Sequence, residues 1–343
     1  MGITLGVYVE DNPHAGGHGA DLAASALIDR ALVAGTEQAW SLAREIEKAE
    51  FVEDWNAVVA DDSVPVLLLL TSNRASGQLA LDGVSAGKYV YGEKPGARTA
   101  AEMKQIVEAC RNSDGQFVPC YVRRTFPETR EIRHLLAGGT IGELWSFQAN
   151  WITSQAELRN AGHWLFDRES AGGGILYWLG CHWIDMLRFV TGEKIIAIQS
   201  MTRTCDPRIS VEDVACLVVR LEGGAIGTIR CGFVLNPFDG YDDYQLMTAF
   251  EGSMGALSYF PHGQITLRLD SCAEGAGTEK REMRLERTSP GGYALPLLEN
   301  VVQAAMEQRD PVVTAEDALY VLSIAEAAYR SAATGEEQRL EEH

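Results

Sequence analysis

The chain has 343 residues, of which 46% are hydrophobic and 22% charged, a composition that argues against disorder, collagen and coiled coil. Its net charge of −19, from 48 acidic and 29 basic residues, opposes binding to nucleic acid or to anionic membrane surfaces. At this length we expect two domains, each with its own core.

The cysteines and the apolar runs bear on redox state and location. The seven cysteines are scattered and include no CxxC pair, so they predict neither a zinc site nor a disulfide framework. No apolar run reaches the roughly 18 residues of a membrane span, and no signal segment follows Met1. We therefore expect a cytoplasmic protein without a metal or a membrane partner.

Strand and helix patterns alternate over residues 1–122, which predicts a doubly wound parallel sheet of the Rossmann type. Predicted strands lie at 3–9, 31–36, 64–73, 88–95 and 115–122. Predicted helices lie at 21–30, 37–50, 74–88 and 99–112, and a glycine-rich loop is expected at 11–19. The run at 64–73 is apolar on both faces, as a central parallel strand requires.

From about residue 143 the pattern favours antiparallel strands with little helix between them. The β-rich runs are 144–154, 195–205, 214–235, 244–252 and 256–260, with a hairpin turn at Gly223 and Gly224. A final helix begins after Thr314 and ends at Gly335. We therefore predict a Rossmann domain over 1–122, then an α+β substrate-binding and oligomerisation domain over 123–343 with a large, mainly antiparallel open sheet.

Two titratable side chains stand in positions that suit chemistry. His182 lies on a predicted helix, about two turns after the glycines of GGGILYWLGCHWID, which permit close approach of backbone or ligand. Lys94 lies on the turn after a parallel strand, at the edge of an open α/β sheet where ligands bind. The alternatives are a structural core histidine and a solvated surface lysine.

Several motifs in order make the chain resemble the Gfo/Idh/MocA oxidoreductase family. They are GEKPGARTAAE around Lys94, R-x-x-P at Arg124–Pro127, GGGILYWLGCHWID around His182, VED at 211–213 and AAYRSAATGEE near the end. The resemblance runs through nearly the whole chain. It implies a nicotinamide-dependent dehydrogenase or reductase that acts on a sugar, cyclitol or glycoside.

The resemblance also implies roles for individual residues. His182 would accept the proton of the substrate hydroxyl while hydride leaves its carbon, and Lys94 would orient and stabilise that oxygen. A homo-oligomer, dimer or tetramer, would form through the C-terminal sheet. Glu37 would hold the adenosine ribose, which favours NAD over NADP.

Departures from the family pattern affect the cofactor and the catalytic helix. Trp178 stands where the family commonly has an aspartate, and it offers a flat surface for a sugar ring. The first loop, EDNPHAGGHG, lacks the GxGxxG spacing and brings Glu10 and Asp11 close to the phosphate position. Where the family has T-P-x-x-x-H, this chain has serine in place of both the proline and the histidine, at positions 72 and 76.

These considerations give a set of candidate residues. For the cofactor they are Asn12, His14, Gly16, Gly17, Glu37, Thr71, Ser72, Asn73, Ser76, Glu93 and Lys94. For the substrate they are Asp185, Trp178, Tyr121, Arg124, His163 and Trp164, with Lys94 and His182 catalytic. The alternative is a family member without redox activity, either a lyase or hydrolase-like enzyme on keto-sugars or a non-catalytic sugar-binding protein.

Simpler roles stand beside several of these assignments. His14 and His18 could be polar surface groups of a turn, and Tyr121 and Arg124 could be crevice contacts or, for the arginine, part of a structural salt bridge. His163 and Trp164 could be exposed loop residues.

Overall fold

Two compact units divide the chain. The computed structural model describes residues 2–235, 243–260, 265–272, 279–285 and 292–340. The first unit comprises Met1–Val122, Glu169–Gly172 and Thr288–Leu322, and the second comprises Arg123–Arg168, Gly173–Arg287 and Ser323–His343. The sequence predicts one division after residue 122, whereas the chain passes back into the first unit twice.

The strands are numbered in chain order. They are β1 (Ile3–Val9), β2 (Ile28–Gly35), β3 (Ala49–Phe51), β4 (Val66–Leu70), β5 (Tyr89–Gly92), β6 (Gln116–Pro119), β7 (Leu144–Ser154), β8 (Ile195–Arg203), β9 (Val214–Leu221), β10 (Ile226–Leu235), β11 (Asp243–Gly252), β12 (Gly255–Phe260), β13 (Ile265–Ser271), β14 (Glu279–Leu285) and β15 (Gln338–Arg339).

The helices follow the same numbering. They are α1 (Ala15–Ala24), α2 (Glu37–Glu45), α3 (Trp55–Ala60), α4 (Asn73–Ser85), α5 (Ala100–Asn112), α6 (Pro127–Ala137), α7 (Arg168–Ala171), α8 (Cys181–Thr191), α9 (Leu295–Glu307) and α10 (Ala315–Thr334). In the described residues no helix is both long enough and apolar enough to cross a lipid bilayer.

Six parallel strands form the sheet of the first unit, in the order β3-β2-β1-β4-β5-β6. This is the strand order of a dinucleotide-binding fold. Every residue of β4 is buried, because helices cover both faces of the sheet. The predicted Rossmann architecture is confirmed.

The first helix lies earlier in the chain than the sequence predicts. The expected helix at 21–30 is α1, which begins at Ala15, and β2 begins at Ile28 instead of residue 31. His18, Asp21 and Leu22 are buried along one side of α1 at helical spacing. Their burial holds a glycine-rich segment in a helix that it would not favour in isolation.

The second unit contains a nine-stranded sheet in the order β14-β13-β12-β11-β7-β10-β9-β8-β15. β7 and β10 run parallel and the other neighbours run antiparallel, so the predicted mainly antiparallel sheet is confirmed. Buried and exposed residues alternate strictly along most of β9, so one face is packed and the other is open. Gly224, with a φ of +95°, lies in the turn of the β9–β10 hairpin.

Candidate active site

Asn12 organises the loop that follows β1. Its backbone N–H donates to Oε1 of Gln38 at 2.8 Å, and its carbonyl accepts from Nε2 of the same side chain at 2.9 Å. Its side chain accepts from the N–H of His14 and donates to the carbonyl of Thr71. Two N–H groups of this loop, those of Asn12 and His14, are therefore bonded to protein side chains.

Gly16 and Gly17 lie in the first turn of α1, and not in a loop as the sequence predicts for residues 11–19. No atom lies within 4 Å of a Cβ built at Gly16, and the one neighbour of Gly17 is the Tyr293 ring at 4.0 Å. First-turn N–H groups have no acceptor within a helix and bind phosphate readily. The open first turn of α1 therefore fits a dinucleotide phosphate, although the loop before it lacks the usual glycines.

A carboxylate follows each of the first two strands of the sheet. Glu10 accepts a hydrogen bond from Oγ1 of Thr71 at 3.1 Å. Glu37 is exposed and begins α2 directly after β2, where a ribose-binding acid is expected. A carboxylate beside the phosphate position repels an anion, so Glu10 weakens the fit that α1 offers.

The residues after β4 have structural contacts of their own. Ser72 caps α4 by accepting from the N–H of Ala75, and Nδ2 of Asn73 donates to the carbonyl of Ala171 at 2.8 Å. Thr71 and Ser76 are buried. The structure thus brings Thr71 to Asn12 and Glu10, while Ser72 and Asn73 fix the start of α4. Their cofactor role stays a prediction.

Glu93 and Lys94 follow β5 and are both buried. Oε1 of Glu93 lies 2.9 Å from Nδ1 of His14 and 2.8 Å from Nε2 of His18. Burial raises the pKa of Glu93, but the two imidazoles outweigh it and hold the pKa well below the usual range. Lys94 is only 4% exposed, so its interpretation as a solvated surface lysine is wrong. His18 is also buried and is not a surface turn residue.

In the second unit, Glu212 anchors the start of the segment that carries His182. Its carboxylate accepts from the N–H groups of Gly174 and Leu176 and from the hydroxyl of Tyr329. A Cβ at Gly174 would overlap the carbonyl oxygen of Glu212, which explains the glycine. Burial raises the pKa of Glu212 against the hydrogen bonds that lower it.

His182 lies near the start of α8, directly after a π-helical turn at Leu176–Gly180. Its ring centroid is 5.9 Å from that of Trp151, and the rings are inclined by 35°. Arg123 stacks over Trp151 at 4.5 Å and over Trp183 at 4.3 Å. His182 is thus 7% exposed and packs beside the Trp151 ring, on which the buried guanidinium of Arg123 stacks.

Arg124 and Asp185 form a buried ion pair within the second unit. Nε of Arg124 lies 3.0 and 3.1 Å from the two carboxylate oxygens, and Nη2 lies 2.6 Å from Oδ1. This is the structural salt bridge that the sequence left open for Arg124. Both oxygens of Asp185 contact the guanidinium, so the pair has a structural role. A substrate role for either residue stays a prediction.

The remaining predicted substrate residues differ in exposure. Trp178 and Tyr121 are buried. His163 and Trp164 are half-buried, with ring centroids 5.2 Å apart, and Nδ1 of His163 accepts from the N–H of Leu165. His163 therefore shapes its own short turn. Its part in a sugar pocket stays a prediction.

Sequence reasoning missed Trp151, Arg123 and Gln38, which now border the candidate residues. Trp151 is on a strand and 31 positions from His182, so no local spacing connects them. Arg123 directly precedes the R-x-x-P motif, which is the one signal in the sequence that could have drawn attention to it.

Two family models match the chain. The model described as an oxidoreductase family with an NAD-binding Rossmann fold matches residues 16–121. The model described as the GFO/IDH/MocA C-terminal domain matches residues 129–257. The first match begins at Gly16, after the atypical loop.

Characterised relatives are distant. Levoglucosan dehydrogenase of Pseudarthrobacter phenanthrenivorans is 27% identical over 65% of this chain, and the match spans only 56% of that protein. A 1,5-anhydro-D-fructose reductase of Ensifer adhaerens is 25% identical over 83% of this chain and 82% of its own. Myo-inositol 2-dehydrogenase of Thermotoga maritima is 25% identical over 87% of this chain and 85% of its own.

Solved structures share the fold over the full length. A levoglucosan dehydrogenase in complex with NADH and levoglucosan superposes with a TM-score of 0.87, covering 99% of both chains at 21% identity. With the two family models matched in order along the chain, the protein belongs to the Gfo/Idh/MocA family of oxidoreductases.

Proposed function

We propose that the protein is an NAD-dependent oxidoreductase that acts on a hydroxyl or keto group of a sugar, cyclitol or glycoside. The observation that carries the proposal is the buried Lys94 at the carboxyl end of β5 in a dinucleotide-binding sheet. In sheets of this kind, ligands bind outside the carboxyl ends of the strands, where Lys94 lies. The relatives named above are dehydrogenases and reductases of such compounds.

Lys94 and His182 are the proposed catalytic residues. His182 takes the proton from the substrate hydroxyl, since an imidazole titrates near neutral pH. Lys94 binds the same oxygen and stabilises the negative charge that develops on it. Trp178, Tyr121, Arg124, His163, Trp164 and Asp185 are the proposed substrate contacts.

The cofactor would be held by residues of the first unit. The first turn of α1 at Gly16 and Gly17 binds a phosphate through its N–H groups, and Glu37 binds the ribose, which favours NAD over NADP. Further proposed contacts are Asn12, His14, Thr71, Ser72, Asn73, Ser76, Glu93 and Lys94. When bound, the nicotinamide supplies the hydride acceptor.

Cofactor titration and a substrate panel test the proposal. Nicotinamide fluorescence is followed with NADH and with NADPH, and reduction of NAD is then screened with levoglucosan, inositols and other sugars. We expect tighter binding of NADH. A protein that binds neither dinucleotide refutes the proposal.

Substitution of His182 tests the role assignment. We expect His182→Ala to lower kcat by about 10²- to 10⁴-fold, because it removes the proton acceptor, and to leave the dissociation constant of NADH unchanged. Trp164→Ala serves as a comparison that changes KM for the sugar. Equal losses of turnover and cofactor affinity in His182→Ala contradict the assignment.

Loss of redox activity is the second candidate function. It is favoured by the loop contacts, because Gln38 bonds both backbone groups of Asn12 where a pyrophosphate loop normally offers free N–H groups. Dinucleotide binding without turnover on the panel, or no binding at all, selects this candidate, and keto-sugars are then the substrates to screen.

A further inference from the structure

Two histidines and a carboxylate converge in the first unit. His14 precedes α1 and His18 lies one turn later, and the i,i+4 spacing directs both rings toward Glu93. Cys120 follows β6, the neighbour of β5 in the sheet. Ligand atoms of His18, Glu93 and Cys120 all lie within 4.8 Å of one another in the described structure.

These distances match the size of a transition-metal coordination sphere. Ligands about 2.0 to 2.3 Å from a zinc ion lie within roughly 4.6 Å of one another. Nδ1 of His14 lies 2.9 Å from Oε1 of Glu93, at the edge of this group of three. An imidazole, a carboxylate and a thiol are donors that zinc and cobalt accept.

Two buried atoms of the cluster lack a hydrogen-bond partner. They are Oε2 of Glu93 and Nδ1 of His18, both on residues that are at least 95% buried. An unbonded buried polar atom is costly and requires an explanation. A bound cation would engage the second oxygen of Glu93.

The groups behind the ligands also suit a metal. The hydroxyl of Tyr91 lies 3.0 Å from Sγ of Cys120 and can donate to a thiolate. The carboxylate of Asp21 lies 3.9 Å from Nδ1 of His18, on the side of the ring away from Glu93. Carboxylates commonly stand behind metal-bound histidines in this way.

Charge balance favours a divalent ion. One thiolate and one carboxylate neutralise two positive charges, and an imidazole that binds a metal is neutral. A neutral assembly is the cheapest form in which these groups can be buried. His14 is 25% exposed, which gives an ion a path into the cluster.

We propose that His18, Glu93 and Cys120 form a binding site for a zinc-class divalent metal ion. The proposal does not rest on the function proposed above. Where the ion is bound, Glu93 binds the metal and the cofactor contacts are left to the other residues. It differs from the sequence expectation of no metal, because the ligands are spread over 102 positions.

Metal content and cobalt spectra test the site. The full chain, prepared without a histidine tag, is stripped with a chelator and titrated with Zn²⁺ or Co²⁺. We expect about one ion per chain and, with Co²⁺, a thiolate-to-cobalt charge-transfer band in the near ultraviolet. Failure to take up either ion at saturating concentration overturns the proposal and leaves a hydrogen-bonded cluster without a metal.

Matched variants assign the ligands. Cys120→Ser should abolish the charge-transfer band, whereas Cys110→Ser, a buried cysteine of α5 outside the cluster, should retain it. Tyr91→Phe should weaken metal affinity about 10- to 100-fold. An unchanged band in Cys120→Ser overturns the proposal. If that variant does not fold, Glu93→Gln decides, and unchanged metal affinity there counts against the site.

Discussion

At the scale of single residues, the candidate chemistry depends on partners that are far away in sequence. The i,i+4 pair His14 and His18 is visible in the sequence, but its partner Glu93 lies 79 and 75 positions away. Arg124 and Asp185 are 61 positions apart. The sequence therefore indicates residues that carry chemistry, while their pairing depends on the fold and could not be read from local spacing.

Glu212 makes stability depend on pH. Its pKa is higher in the folded state than the value of about 4.5 in the unfolded chain, so protonation of Glu212 stabilises the fold. This stabilisation is present at low pH and is lost as the pH rises from about 4.5 through the pKa of the folded state. We expect the melting temperature of wild type, relative to Glu212→Gln, to fall as the pH rises through this window. Thermal melts of both proteins from pH 4 to 7 measure it, and a parallel pair of curves contradicts the assignment.

At the scale of elements, the sequence predicts strands better than the glycine-rich segments. β1, β4, β7 and the β9–β10 hairpin lie where apolar alternation or an apolar run indicates them. α1 is misplaced because glycines signal a loop when only local propensity is considered. Its helix is instead imposed by burial of His18 and Leu22, a tertiary effect.

Substitution of Gly16 tests whether the open space in the first turn of α1 serves phosphate binding. It lies in a helix with open space beside it, so Gly16→Ala should stabilise the protein by about 0.5 to 1 kcal/mol. If the first turn of α1 binds a phosphate, the same change should weaken NADH binding. Denaturant unfolding and fluorescence titration measure the two effects.

Gly19→Ala is the matched comparison for Gly16→Ala. Its Cβ would lie 2.7 Å from Cδ1 of Leu42, so the gain in helix propensity is offset by a steric conflict. Equal stabilisation by both substitutions contradicts the expectation that only Gly16 has room for a methyl group.

At the scale of the whole molecule, the open face of the large sheet carries an apolar patch. Met201 is 78% exposed and Val218 is 55% exposed, diagonal to each other on the neighbouring strands β8 and β9, and Ile226 on β10 lies diagonal to Val218. Apolar side chains clustered on a solvated face commonly mark a protein interface. This supports the expected self-association through the sheet.

Val218→Asp tests the association. We expect wild type to behave as a dimer or tetramer in light scattering and the variant to have a smaller mass, because a carboxylate would be buried unpaired at the interface. Leu158→Asp, an exposed apolar residue outside the sheet, should leave the mass unchanged. A monomeric wild type, or identical masses for all three proteins, refutes the expectation.

The division of the first unit into separate chain segments has a consequence for biosynthesis. α9 belongs to that unit, packs against α1 and β5, and buries Leu297, Leu298 and Val301 completely. A ribosome delivers these residues only after most of the second unit has emerged. Part of the apolar surface of the nascent Rossmann sheet therefore stays uncovered until α9 is synthesised near the end of translation.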